Sequence, residues 1–170
     1  MKRNIEDLED EVDETKENDD HFQSTYRLKE NYEYEKNGYH YETDSKGRIK
    51  EASGVLHLGE GKRYGNHQLE AGHEDRKEND EGGHIIASRF EGSGKIDNLV
   101  AMDKGLNRNE YKALEESWVK DISEGKKVDV DIKMIYKGES ERPDRFRISY
   151  RIENENGDVK YYSKTFRNGG

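Results

Sequence analysis

The sequence predicts an α+β fold, an antiparallel sheet packed on one main helix, and three observations carry that prediction. Val128, Val130, Ile132 and Met134 alternate with polar neighbours, as do Phe146, Ile148, Tyr150 and Ile152, which is the period of strands with one buried face. Tyr111, Leu114, Trp118 and Ile122 recur at spacings of three and four, the period of a helix with one apolar side. Asn37-Gly38 and Asn156-Gly157 stand between extended runs, a strong short-range signal for hairpins.

In chain order, residues 32–35 and 39–42 flank the first of these turns as paired strands, and an extended run over 48–58 follows Lys46-Gly47. Residues 59–81, rich in glycine and charge, read as a long loop. Gly82 and Gly83 make a tight turn feeding a short buried strand at Ile85, Ile86 and Ala87, which leaves His84 at its edge. The main helix is expected over about 107–124, with Asn107 as N-cap, Glu110 completing a capping box and Gly125 as the stop. The two alternating runs then lead through Asn156-Gly157 into a last strand over 159–166. Asp44 to Gly47 and Asn154 to Asp158 faintly resemble calcium loops, but neither supplies the full ligand ladder with a closing glutamate, and both read as hairpin turns.

At 170 residues the length favours one folded body, and 29% hydrophobic against 41% charged residues makes its core modest. Eleven tyrosines add apolar area that simple hydrophobicity undervalues. With no cysteine there is no disulfide, and a structural zinc site is not expected, since His21, His40, His57, His67 and His73 show no ligand spacing. No apolar run is long enough to cross a bilayer, and no charged-then-apolar segment stands among the first residues, so neither membrane insertion nor a signal peptide is expected here. The net charge of −9 is unevenly placed: residues 1–20 hold ten acids against Lys2, Arg3 and Lys16, a balance of −7 that leaves −2 for the other 150. Residues 1–25 are therefore expected to be an acidic linker or frayed helix, in which Ile5, Leu8 and Val12 give weak helical periodicity, with the folded domain over 26–170.

The chemistry-bearing residues concentrate between Gly82 and Glu115. Hydrolysis at phosphorus needs a base to activate water and a divalent cation to neutralise charge, and histidine suits the first task near neutral pH. On one helix, Asn107 and Glu115 differ by roughly 80° around the axis and can face one small site. A neutral amide oxygen as direct ligand, with a carboxylate holding bound waters, suits Mg2+. Singly each residue has a plainer reading: His84 as a structural imidazole, Asn107 as a cap, Glu115 as a solvated charge, Asn98 as turn chemistry. It is their conjunction that points to a site.

At GGHIIASRF, IDNLVAMD and LNRNEY…LEESW, with TDSKGRI before and ERPDRF after, the chain resembles the DNA/RNA non-specific endonucleases of the ββα-metal (His-Me finger) class. The likeness is strongest to the nuclease domains that end LXG-type polymorphic toxins, and it covers most of residues 40–168. It implies a ββα-metal finger within the α+β fold, His84 as general base, Asn107 as direct metal ligand, Glu115 as a carboxylate acting through water, and Asn98 as support for the finger. It implies Mg2+ (or Mn2+) as cofactor, a DNA or RNA substrate, a product with a 5′-phosphate, and a toxin secreted or delivered into a target cell to act in its cytoplasm. A cognate immunity protein with an acidic surface is the implied partner. Where secreted members carry Asp-Arg-Gly-His, this chain has Glu81, Gly82, Gly83 and His84. Val119 stands where those members often have a second arginine, and Ala101 where a proline is common. Arg76, Arg89 and Arg142 are the candidates for gripping the phosphate. Two alternatives stand beside this reading: a metal-independent ribonuclease using the substrate 2′-hydroxyl, and a non-enzymatic acidic binding or inhibitor module.

Overall fold

The computed structural model describes residues 19–169, so Ile5, Leu8 and Val12 lie outside the described residues. Among the described residues there are ten strands and three α-helices: β1 (Phe22–Ser24), β2 (Arg27–Leu28), β3 (Glu33–Lys36), β4 (Tyr39–Thr43), β5 (Ile49–Val55), α1 (Gly65–Glu70), β6 (Asp80–His84), β7 (Leu99–Asp103), α2 (Lys104–Arg108), α3 (Glu110–Ser123), β8 (Lys127–Tyr136), β9 (Pro143–Glu153) and β10 (Val159–Arg167). The expected α+β class with an antiparallel sheet is what forms. Six strands join in the order β10-β9-β8-β5-β4-β3, every neighbour antiparallel, while β6 and β7 make a separate two-stranded ribbon. That ribbon runs through α2 into α3, so β6, β7 and the helices form a ββα unit laid on one face of the sheet.

The hairpin signals hold in detail. Asn37 and Gly38 both take positive φ, 54° and 89°, which is the geometry a two-residue turn needs to match the strand twist. Asp44 Oδ1 accepts from the backbone N–H of Lys46 and of Arg48, so this segment is a side-chain-braced turn. The alternating runs bury Val128, Val130, Ile132 and Met134 from β8 and Phe146, Ile148 and Tyr150 from β9. Onto them α3 lays Tyr111, Leu114 and Trp118, with Trp118 edge-on to Tyr150 and Tyr111 edge-on to Phe146.

Four buried phenols then tie the long β6–β7 connection to its surroundings. Tyr34, Tyr39 and Tyr41 of the first hairpin donate to Asp97 O, Phe90 O and Asn98 Oδ1, and Tyr111 of α3 donates to Ile85 O. Each ring fills core while its hydroxyl satisfies an acceptor that the irregular connection cannot satisfy internally.

The expected main helix forms as α3, but it starts at Glu110 rather than 107, and Asn107 lies in the short α2 before it instead of capping it. Asp103 caps α2 by accepting from Leu106 N at 3.1 Å, and Asn109, at φ −115° and ψ −84°, breaks the chain before α3. The Asn107–Glu110 capping box therefore does not form. The stop at Gly125 does: φ is 88°, Lys126 N reaches Asp121 O and Gly125 N reaches Ile122 O, a Schellman ending.

Residues 59–81 are not one loop, since they contain α1 and a 3-10 turn at His73–Asp75. None of the α1 residues is buried, so that helix had no apolar period to betray it. Its backbone presses on β6 at Gly82, where a Cβ would lie 2.4 Å from Gln68 O and 2.6 Å from Gln68 Cα. Gly82 and Gly83 lie inside β6 rather than in a turn, and Ile85, Ile86 and Ala87 are buried beyond its end. Residues 19–25 carry β1 and the fully buried His21, whose Nε2 meets Asp97 Oδ2 at 2.9 Å, so the packed body extends on the amino side of residue 26.

Candidate active site

A cleft of about 770 Å³ opens between α1, β6 and the α2–α3 pair, and His84, Asn107 and Glu115 all line it. The break at Asn109 makes the single-helix angle between Asn107 and Glu115 irrelevant, yet the two helices deliver both side chains to the same hollow.

His84 ends β6 and is 9% exposed, and its Nε2 has no hydrogen-bond partner among the described residues. Burial, with the charge of Arg63 beside it, pulls its pKa down to about 4, so the imidazole is neutral at physiological pH. A neutral, buried nitrogen without a partner, on a residue that lines a polar cleft, is a group able to take up a proton. Glu115 shows the opposite shift: burial pushes its carboxyl up to about 8 despite Arg89, Lys112 and Arg63 nearby. A carboxyl held against its charge in this way is stabilised as the anion by an added cation.

Asn107 donates its Nδ2 to Glu81 Oε1 at 3.0 Å, and Arg108 bonds both oxygens of the same carboxylate. Arg108 is the main reason the Glu81 carboxyl lies below its ordinary range. Asn98 sits at the end of a 3-10 turn just before β7, not in a strand, and is fully buried. Its Oδ1 accepts from Tyr41 and from Ile86 N, and its Nδ2 donates to Ile86 O and Ser93 O, so all its polar atoms go to shaping the connection behind His84.

The three arginine candidates separate. Arg89 lines the cleft, and its side chain makes no hydrogen bond or ion pair among the described residues. Arg76 also reaches the cleft, but its guanidinium donates to Gln68 O, Leu69 O and Ala71 O at the end of α1 and to Asp80 O, clamping that helix to β6. Arg142 is not in the cleft: it forks onto Asp80 at 2.6 and 2.9 Å and its side chain is 9% exposed. The sequence reading missed Arg63 and Lys112, which line the cleft and bear on both His84 and Glu115 or on Glu115 alone. Nothing in the pattern around Arg63 signalled it, because it stands outside any helix or strand just before α1. Glu81 was visible only as the acid three residues before the histidine.

The cleft residues fit a hard divalent ion: an amide oxygen and a desolvated carboxylate offer the oxygen donors such an ion prefers. Two other acid–imidazole groups lie elsewhere. Asp19, His21 and Asp97 cluster in the interior, where Lys36 already supplies positive charge to Asp19 at 3.1 Å, and Glu33, His40 and Glu42 cluster on the outer sheet face.

Comparison with known proteins agrees with this geometry. The family model described as DNA/RNA non-specific endonuclease matches residues 30–154. The Type VII secretion system protein EssD of Staphylococcus aureus, in strains USA300 and NCTC 8325, is 42% identical over 137 residues, 76% of this chain. The chain spans only 22% of those relatives' length. Two solved structures, an extracellular nuclease and an extracellular endonuclease, share the fold with TM-score 0.53 at 16% identity. Each alignment covers 86% of this chain, with 91% and 84% of the other.

Proposed function

The chain belongs to the DNA/RNA non-specific endonuclease family and is a hydrolytic nuclease, and we propose that it works with one divalent cation, cutting DNA by preference and accepting RNA. The observation that carries this reading is the unpartnered Nε2 of His84, buried at the floor of a cleft that also holds Asn107 and Glu115.

In this mechanism neutral His84 takes a proton from a water as its oxygen attacks phosphorus. The bond to the 3′-oxygen breaks, leaving a 5′-phosphate on one product and a 3′-hydroxyl on the other once that oxygen is protonated from solvent. Mg2+ (or Mn2+), held directly by Asn107 and through water by Glu115, would neutralise charge on the phosphate and the departing oxygen. Arg89, with Arg63 and Lys112 in place of Arg76 and Arg142, holds the phosphate backbone, a sugar-indifferent grip. Asn98 keeps the connection rigid behind the base. Burial keeps the imidazole unprotonated, so the base is ready without prior titration.

The same reading makes the chain an antibacterial toxin domain of the LXG-type kind, secreted or delivered into a target cell and acting in its cytoplasm. The relatives' designation as secretion-system proteins supports it. Its partner would be an immunity protein presenting acidic side chains to the cationic cleft. No helix among the described residues is long and apolar enough to cross a membrane.

The test is incubation of the purified protein with plasmid and with total RNA, with and without EDTA, beside His84→Ala. Cleavage that stops with EDTA and falls by roughly 10²- to 10⁴-fold in the variant is expected. Full activity in EDTA would overturn the cation, and full activity in a folded His84→Ala would overturn the base.

A further inference from the structure

Asn107 can serve a cation only through its oxygen, yet its amide has two ends of nearly the same shape. The structure contains a device that tells them apart. Glu81, on β6, accepts from Asn107 Nδ2 at 3.0 Å, while Asn107 Oδ1 has no hydrogen-bond partner among the described residues. An ionised carboxylate accepts hydrogen bonds and never donates, so only the NH2 end of the amide can face it. The oxygen is thereby left as the free end, on a residue that lines the cleft.

We infer that Glu81 is a positioning residue that fixes the Asn107 amide with its oxygen presented to the divalent cation, an inference that rests on the reading of Asn107 as direct ligand. Arg108 completes the device. It follows Asn107 in α2 and donates to both oxygens of Glu81, from Nε at 3.2 and 3.0 Å and from Nη2 to Oε2. The carboxylate is thus held from two sides, by consecutive residues of one short helix, with its charge intact and its lone pairs aimed. The Arg108 side chain is 61% exposed, so the ion pair adds little to stability. Its effect is on orientation, and Glu81 also places a negative charge one side chain away from the cation.

Such outer partners of metal ligands are worth about 10- to 100-fold in metal affinity. The experiment titrates Mn2+ by calorimetry into the parent chain, Glu81→Ala, Glu81→Gln, Arg108→Ala and Asn107→Ala, with a melting temperature for each. Glu81→Ala is expected to bind Mn2+ about 10-fold more weakly while staying folded. Glu81→Gln can turn its own NH2 toward Asn107 and so no longer selects which end of that amide faces it, and it too is expected to bind Mn2+ several-fold more weakly than the parent. Arg108→Ala, at an exposed position, is expected to bind several-fold more weakly.

Parent-like affinity in Glu81→Ala overturns the inference, and so does parent-like affinity in a folded Glu81→Gln, because an acceptor-only partner would then not be what orients the Asn107 amide. If Glu81→Ala does not fold, parent-like binding in Arg108→Ala has the same force. Unchanged Mn2+ affinity in Asn107→Ala, by contrast, removes the ligand itself, and with it the reading on which the inference rests.

Discussion

Tyr41 on the central sheet donates its hydroxyl to Asn98 Oδ1 at 2.8 Å, and neither residue is exposed to solvent. The bond joins the core to the connection that follows His84. Tyr41→Phe removes one of two donors to that oxygen and is expected to cost about 1 kcal/mol. Asn98→Ala strands Ile86 N, the Tyr41 hydroxyl and two carbonyls together and is expected to cost more than about 3 kcal/mol. Urea denaturation of the two variants checks the order, and equal losses would show that the connection is held by other contacts.

For His84 the pH dependence is specific. Its folded pKa of about 4 is below the ordinary 6.5, so the base is neutral, and active, well into the acid range. The acid limb of kcat/KM is expected near pH 4, measured on a short duplex at saturating cation, and a limb near 6.5 would contradict a buried base. The linkage has the same sign: between about 6.5 and about 4 the unfolded chain binds the extra proton, so the folded state loses stability as pH falls through that window.

Glu115 runs the other way. Its folded value of about 8 exceeds its ordinary 4.5, so the folded chain holds the extra proton and loses stability as pH rises between those values. In EDTA, Glu115→Gln is expected to melt higher than the parent at pH 8.5 and about equally at pH 4, while cleaving more slowly with Mg2+. A Gln variant that melts lower at pH 8.5 would mean that the carboxylate is already compensated by Arg89, Lys112 and Arg63.

Gly82 occupies the place where secreted relatives carry arginine. Its Cβ direction is filled by the Gln68 backbone, so Gly82→Ala is expected to cost about 1–3 kcal/mol by overpacking, and Gly82→Arg more. Neither should raise cleavage. An arginine variant that is stable and faster would show that α1 can move aside, which thermal melts and initial rates together would detect.

The legible parts of this chain are those written in periodicity. The β8 and β9 alternation, the Tyr111–Trp118 stripe and the Asn37-Gly38 turn each express one repeating physical constraint, and each forms as read. What failed was placed by tertiary contact. Asn107 had the spacing of a cap, but Asp103 is nearer the strand end and reaches Leu106 first. α1 buries no residue, so no hydrophobic pattern could announce it, and Arg63 stands just before it, outside any helix or strand. Arg76 and Arg142 looked available because a sequence does not show carbonyls or the Asp80 that claim them. His84, Asn107 and Glu115 were read together from their chemistry and from the resemblance, and they line one cleft although a break at Asn109 separates the helices that carry two of them.

All three proposed catalytic positions lie between residues 84 and 115, but three of the four phenols that hold their connecting segment come from residues 34–41 and rest on a sheet completed by strands after residue 127. The reactive geometry is therefore a property of the whole cooperative unit and of no fragment of it. A partly synthesised or partly unfolded chain has the residues without the arrangement, and it is expected to gain cutting power only once the core closes. For an enzyme whose substrate includes any cell's own nucleic acid, that ties hazard to complete folding: whatever delays docking of the first hairpin keeps the chain harmless.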